Sequence, residues 1–169
     1  MRSETTIVMA AEPRAIYALA APVERWPELL PHYRWVRVLR GGERSRLVEM
    51  AAHRDGIPVR WWAEQQLDPD TPCIRFKHVR GVTRGMDVAW TFEPAGAGTL
   101  VRITHDFAPS WPLGPLIATY IIGPFFVENI AGKTLRRIKQ LLELASSERA
   151  SEAPVEGDRD QALRTLEKP

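Results

Sequence analysis

Residues 111–144 read WPLGPLIATYIIGPFFVENIAGKTLRRIKQLLEL, and the second half of this stretch decides the fold. Val127, Ala131, Leu135, Ile138 and Leu142 recur at three- and four-residue steps, which places them on one face of a helix. Lys133, Arg136, Arg137, Lys139 and Glu143 fall on the other face. Such a helix is not stable alone in water and must lay its apolar face on something. The first half, Leu113 to Val127, is apolar but interrupted by Gly114, Pro115, Gly123 and Pro124. It reads either as the lead-in that caps a core or as an apolar lid. A lid of this kind would touch a membrane or a carrier protein, with Gly123-Pro124 as its hinge.

Working outward from this helix, the preceding chain reads as strands. Thr5 to Ala10 forms a first strand, and Ala11-Glu12-Pro13 opens a helix with apolar residues Ile16, Leu19 and Ala20. Pro22 closes it, Val23 to Leu30 makes a second short helix, and Pro31 ends that. Six further strands are expected at 33–39, 46–53, 57–67, 73–79, 85–93 and 99–107. Breaks such as Gly41-Gly42, Asp55-Gly56 and Ala95-Gly96-Ala97-Gly98 are hairpin signals. After Leu144 the chain turns polar, so residues 1–145 are expected to form one domain and 146–169 a solvated tail, with room for a short helix around Gln161 to Leu166.

Composition bounds the function. The chain has 169 residues, with 23 Lys and Arg against 21 Asp and Glu, a net charge of only +2. No basic run interleaved with aromatics is present, which argues against nucleic acid. The single cysteine, Cys73, excludes an internal disulfide and a paired-cysteine metal site, and fits a reducing compartment. No apolar leader and no uninterrupted apolar run of about 18 residues is present, so the expectation is a cytoplasmic protein. No cofactor and no metal are expected. Six tryptophans, at 26, 35, 61, 62, 90 and 111, are many for this length. They are either ordinary packing or the walls of a cavity for a flat apolar ligand.

Several segments carry a family resemblance: Trp26-Pro27-Glu28-Leu29-Leu30-Pro31-His32-Tyr33, then Trp90-Thr91-Phe92 with the following glycine turn and strand, then the helix end from Leu135 to Glu143. With the element order, these resemble the START/Bet v 1-like superfamily (SRPBCC), and within it the polyketide cyclase/dehydrase and coenzyme Q-binding group. The resemblance implies an α+β helix-grip fold. A seven-stranded antiparallel sheet would wrap around a long C-terminal helix, with two short helices between the first and second strands.

Alternation on the sixth strand groups Met86, Val88, Trp90 and Phe92; on the seventh it groups Ile103, His105 and Phe107. The resemblance adds Val59, Trp61, Ala63 and Gln65 on the fourth strand and Val127, Ala131, Thr134 and Ile138 on the helix. It also sets Tyr33 near a cavity mouth. The expected ligand-binding set is therefore Trp26, Tyr33, Trp61, Gln65, Met86, Trp90, Ile103, His105, Val127, Ala131 and Thr134. His105 is either a proton-transferring group, with Tyr33 its best partner, or a satisfied core histidine. Gln65 stands where the resembled aromatase/cyclase members carry arginine, and an amide cannot stabilise an enolate as a fixed cation does. Lys77 lies near a second basic position of those relatives, or is simply solvated.

Three functions follow as expectations. The first is binding of a hydrophobic small molecule (lipid, isoprenoid quinone or polyketide-like aromatic) between sheet and helix. The second is cofactor-independent polyketide cyclisation, aromatisation or dehydration, and the third is protein interaction through Leu113 to Val127.

Overall fold

The structure is a computed structural model and describes residues 1–54, 57–108 and 128–152. Strand β1 (Arg2–Met9) leads to helix α1 (Pro13–Ala20), a 3-10 turn (Val23–Arg25) and the single-turn helix α2 (Trp26–Leu29). Six strands follow: β2 (Tyr33–Gly41), β3 (Ser45–Arg54), β4 (Ile57–Asp68), β5 (Cys73–Gly81), β6 (Met86–Ala95) and β7 (Gly98–Phe107). Helix α3 (Glu128–Glu152) completes the described chain. Proline sets both short helices going, Pro13 and Pro27 each standing in a first turn.

The seven strands form one antiparallel sheet in the order β1-β7-β6-β5-β4-β3-β2. Every strand therefore pairs with a sequence neighbour except β1, which closes back on β7 from Arg2↔Asp106 to Met9↔Thr99. The β6–β7 hairpin needs only two linking residues, with Ala95 opposite Gly98 and Gly96 at φ +59°. That is the conformation a tight hairpin turn demands and that glycine adopts without strain.

One face of the sheet is buried and the other is not. Burial alternates strictly on β6 (Met86, Val88, Trp90, Phe92) and β7 (Val101, Ile103, His105, Phe107), because successive side chains point to opposite faces. Helix α3 turns Ile130, Ala131, Thr134, Leu135 and Ile138 into this core and lies against β1 and α1. Each fully buried Leu or Ile contributes about 1.5–3 kcal/mol of transfer free energy, which holds the otherwise unstable helix in place. Tyr17 of α1 meets Phe92 edge-to-face at 6.0 Å.

Among the described residues three register shifts interrupt the sheet, at Tyr33/Trp35 and Val38/Arg40 on β2 and at the β4–β5 pairing beside Trp62, and two of them re-aim side chains at the core. Tyr33 pairs with Ala52, but Trp35 pairs with Ala51 rather than Met50. Tyr33 thus points inward and Trp35 outward, although they are two residues apart. On β5, Ala63 faces His78 while Trp62 faces Arg80, so His78 points inward and Arg80 outward. Bulges commonly redirect residues beside functional sites in this way.

The outward tryptophans pack on arginine. The guanidinium of Arg60 lies 4.5 Å from the Trp62 ring centroid and 5.5 Å from that of Trp35, with Arg37 and Arg80 on the far sides. Arg60 also donates to the buried carboxylate of Glu49. The packing reading therefore holds for Trp35 and Trp62, and these cation–π contacts cover part of the outer sheet face.

Some expectations need correction or fall outside the described chain. The terminal helix does not stop near 145 but continues to Glu152, with Ser146, Ser147, Glu148 and Arg149 exposed. Hydroxyls of Ser146, Ser147 and Ser151 bond back to backbone carbonyls of their own helix. The Asp55-Gly56 turn, the Leu113–Val127 segment with its Gly123-Pro124 hinge, Trp111, and residues 153–169 with the expected helix at 161–166 lie outside the described residues.

Candidate functional site

Between the inner sheet face and α3 lies a cavity of about 60 Å³. Since roughly 10–15 Å³ of such space admits one water, this conformation holds a few waters or a small fragment. Met50 and Met86 line it, and unbranched thioether side chains adapt to a larger guest more readily than branched ones.

Nine of the eleven expected residues line this cavity: Trp26, Tyr33, Trp61, Met86, Trp90, Ile103, His105, Ala131 and Thr134. Val127 lies outside the described residues. Gln65 is not on the wall. It is fully buried, and its amide donates 2.9 Å to the carbonyl of Ala21, tying β4 to the chain after α1. Its amide nitrogen thus serves the scaffold, while its Oε1 has no hydrogen-bond partner among the described residues. Of its two readings, Lys77 takes the solvated one: it faces solvent and pairs with Asp87 at 3.3 Å. Its neighbour His78 is the β5 residue that enters the cavity.

The aromatic walls form a connected set. Trp26 packs 4.9 Å from Tyr33, 6.0 Å from Phe76 and 5.9 Å from Trp90 between ring centroids. Its indole N–H donates 3.0 Å to the carbonyl of Ala20, so the one polar atom of this buried ring is satisfied. Trp61 stacks on His78 at 6.0 Å with planes 17° apart.

Four polar residues, Tyr33, His78, His105 and Thr134, break this apolar wall. His78 is held by a 2.7 Å hydrogen bond between its Nδ1 and the hydroxyl of Thr83. Thr83 is the one buried residue of the β5–β6 turn. His105 is 8% exposed, and its Nδ1 has no hydrogen-bond partner among the described residues. An unpaired buried ring nitrogen is costly, and a ligand hydroxyl or carbonyl-derived enol would satisfy it. Tyr33 is buried and shares the cavity wall with Thr134.

Burial sets the protonation states. Desolvation lowers His105 to about 4. Desolvation, with a smaller contribution from His105, lowers His78 to about 3. Both are therefore neutral near pH 7 and able to accept a proton. Tyr33 is raised, chiefly by desolvation, so it stays protonated and can donate. Neutral bases and a protonated phenol on one dry wall are an acid–base set.

The same shifts predict a pH dependence. An unfolded histidine titrates near 6.5, whereas folded His78 and His105 titrate near 3 and 4. Between these values the unfolded chain binds more protons, so acid favours unfolding. Stability should be level above about pH 6.5 and fall by roughly a few kcal/mol on going to pH 4. Urea unfolding at pH 7, 5.5 and 4.5 checks this, and the fall should shrink in His78→Phe.

Sequence reading missed Met50, Phe76, His78 and Ile130 on the cavity wall, and set Val88 on the inward face of β6 without including it in the binding set. Alternation on β5 carried the signal for two of them, since Ile74, Phe76 and His78 are its buried residues. Among the described residues no group of three His, Cys, Asp or Glu side chains could hold a metal ion, and no helix is long and apolar enough to cross a membrane.

A seven-stranded antiparallel sheet gripping a C-terminal helix over an aromatic cavity defines a helix-grip, START-like protein. Within that class the chain belongs to the family described as polyketide cyclase / dehydrase and lipid transport, which matches residues 9–131. It is 35% identical over 109 residues to the granaticin polyketide synthase bifunctional cyclase/dehydratase of Streptomyces violaceoruber, covering 63% of this chain and 34% of that protein. It is 33% identical over 105 residues to the actinorhodin counterpart of Streptomyces coelicolor, covering 61% and 33%. The chain thus spans about a third of the length of these relatives. Among solved structures it resembles a protein from Thermus thermophilus (TM-score 0.73, 23% identity, 86% of this chain and 99% of that one). It also resembles the Zhui aromatase/cyclase from a Streptomyces species (TM-score 0.70, 19% identity, 90% and 96%). At these identities the structural likeness speaks for the fold.

Proposed function

We propose that this chain binds a flat, neutral, polyketide-like molecule in the cavity and promotes its dehydration or cyclisation by acid–base chemistry, without a cofactor. The observation that carries this reading is the meeting of Tyr33, His78 and His105 on one aromatic-walled cavity. The relatives described as cyclase/dehydratases support the same reaction class. In the dehydration step, His105 takes the proton from the carbon beside a ligand ketone. Tyr33 gives its proton to the departing β-hydroxyl, a C=C bond forms, and water leaves. The aromatic wall holds the ligand flat, which aligns the breaking C–H and C–O bonds.

The probe is 4-hydroxy-4-phenylbutan-2-one, a β-hydroxy ketone whose dehydration gives a strongly absorbing conjugated enone. Enone formation above the buffer rate is expected, and its absence at saturating protein overturns the catalytic reading. A second reading, carriage of a lipid, quinone or aromatic without turnover, is favoured by Gln65, a neutral amide committed to the Ala21 carbonyl where the resemblance expects a cation. Organic extraction of protein purified without detergent, followed by mass spectrometry, separates the two. A stoichiometric ligand with no turnover of the probe supports carriage.

A further inference from the structure

Thr134 stands between two groups. On one side is the Tyr33 phenol, which shares the cavity wall with it and whose ionised form it favours. On the other side, the Thr134 Oγ1 lies 2.9 Å from Nε2 of His32, a residue 102 positions away in the chain. His32 is half-buried, whereas Thr134 and Tyr33 are buried. The three groups thus stand together, from a half-buried ring to the acid that lines the cavity.

We propose that His32 and Thr134 are a proton relay that reloads the Tyr33 hydroxyl from solvent after each turnover. The proposal rests on the acid–base reading above. Once Tyr33 has given its proton to the departing hydroxyl, it is a phenolate in a dry cavity, which burial strongly disfavours. The phenolate takes the Thr134 hydroxyl proton, and Thr134 takes the proton on Nε2 of His32. His32 takes one from water at Nδ1 in the same concerted shift, so the ring stays neutral, and the hydroxide left in solvent is neutralised by the proton that His105 gives up. His105 releases the proton it removed from carbon when product and water leave. The hydroxy ketone has become enone plus water, and the protein has neither gained nor lost a proton.

The ring of His32 is suited to the outer position. It lies 4.8 Å from the Tyr33 ring between centroids. Desolvation, and secondarily the charge of Lys133, lowers it to about 4. A neutral ring passes a proton through by exchanging its two nitrogens, whereas a fixed imidazolium would hold its charge beside the apolar wall. His32 and Thr134 act through Tyr33, so both are positioning residues rather than catalytic ones.

The test uses the full chain and the same β-hydroxy ketone. Thr134→Val keeps the shape of the side chain and removes the hydroxyl. It should lower kcat about 10- to 100-fold, a typical share for one proton-transfer element, with KM nearly unchanged. Thr134→Ser should restore kcat to within about twofold, and His32→Gly should match Thr134→Val. Added imidazole should then recover turnover in His32→Gly and do nothing for Thr134→Val, a readout that a packing role would not move. If the wild-type chain turns over the probe and Thr134→Val does so equally well, the relay is wrong and the acid–base reading stands. Thr134→Ser as slow as Thr134→Val, or no imidazole rescue of a folded His32→Gly, also overturns the relay. If the wild-type chain gives no turnover, both fail together.

Discussion

A His105→Gln variant is expected to lose dehydration of the β-hydroxy ketone by about 10²- to 10⁴-fold, the usual contribution of a positioned general base. Glutamine roughly fills the space of the ring and can still donate and accept hydrogen bonds, but it cannot take a proton near pH 7. The variant therefore separates basicity from shape. Stability should change little, because the lost Nδ1 has no hydrogen-bond partner among the described residues in the wild-type fold. Ligand binding should persist, since the walls formed by Trp26, Trp61 and Trp90 are untouched. Quenching of their fluorescence by the probe measures it. Retained turnover with retained binding would transfer the base role to His78, which shares the cavity and is held neutral by burial.

Trp26→Ala carries the largest expected loss of stability. Trp26 is 3% exposed and contacts three aromatic rings drawn from β2, β5 and β6. It stands at the first residue of a four-residue helix, too short to hold its place by backbone hydrogen bonds alone. Truncation removes the transfer free energy of the ring and leaves a void that the surrounding strands cannot fully close. The expected cost is about 3–5 kcal/mol, read as a lower urea midpoint at pH 7. Trp26→Phe should recover more than half, because a ring remains and only the N–H bond to Ala20 and part of the volume are lost. A loss below about 1 kcal/mol in Trp26→Ala would mean that α2 and its neighbours collapse onto the gap. The aromatic cluster would then be a binding wall rather than a structural core.

Much of the candidate site was legible because burying one face of a sheet imposes a two-residue period. Trp61 on β4, Met86 and Trp90 on β6, and Ile103 and His105 on β7 followed from alternation and from the helix-grip resemblance, and all line the cavity. Where a bulge intervenes, the same reasoning fails. His78 and Arg80 share parity yet face opposite sides, as do Tyr33 and Trp35. An inserted residue shifts the register without leaving a mark in the hydrophobic pattern. Attention therefore rested on Lys77, which pairs with Asp87 in solvent, and missed His78 beside it.

Gln65 shows a different limit. Its inward orientation was readable, and its environment confirms it, since no part of it is exposed. Its hydrogen-bond partner was not readable, because Ala21 is 44 residues away and offers only a backbone carbonyl. Every residue has such a carbonyl, so nothing in composition or spacing marks this one.

What the amino-acid sequence determined by itself was the order of elements, the antiparallel hairpins, the amphipathic terminal helix and the faces of the regular strands. These depend on local turn chemistry and on periodicity, which are properties of neighbouring residues. The tertiary structure alone decided which polar groups meet. The pairing of His78 with Thr83, the unpartnered nitrogen of His105 and the His32–Thr134–Tyr33 grouping depend on strand register, on two bulges and on where α3 comes to rest. A shift of one residue in any of these moves a side chain to the opposite face, so the chemistry of the cavity exists only once the whole sheet has closed on its helix.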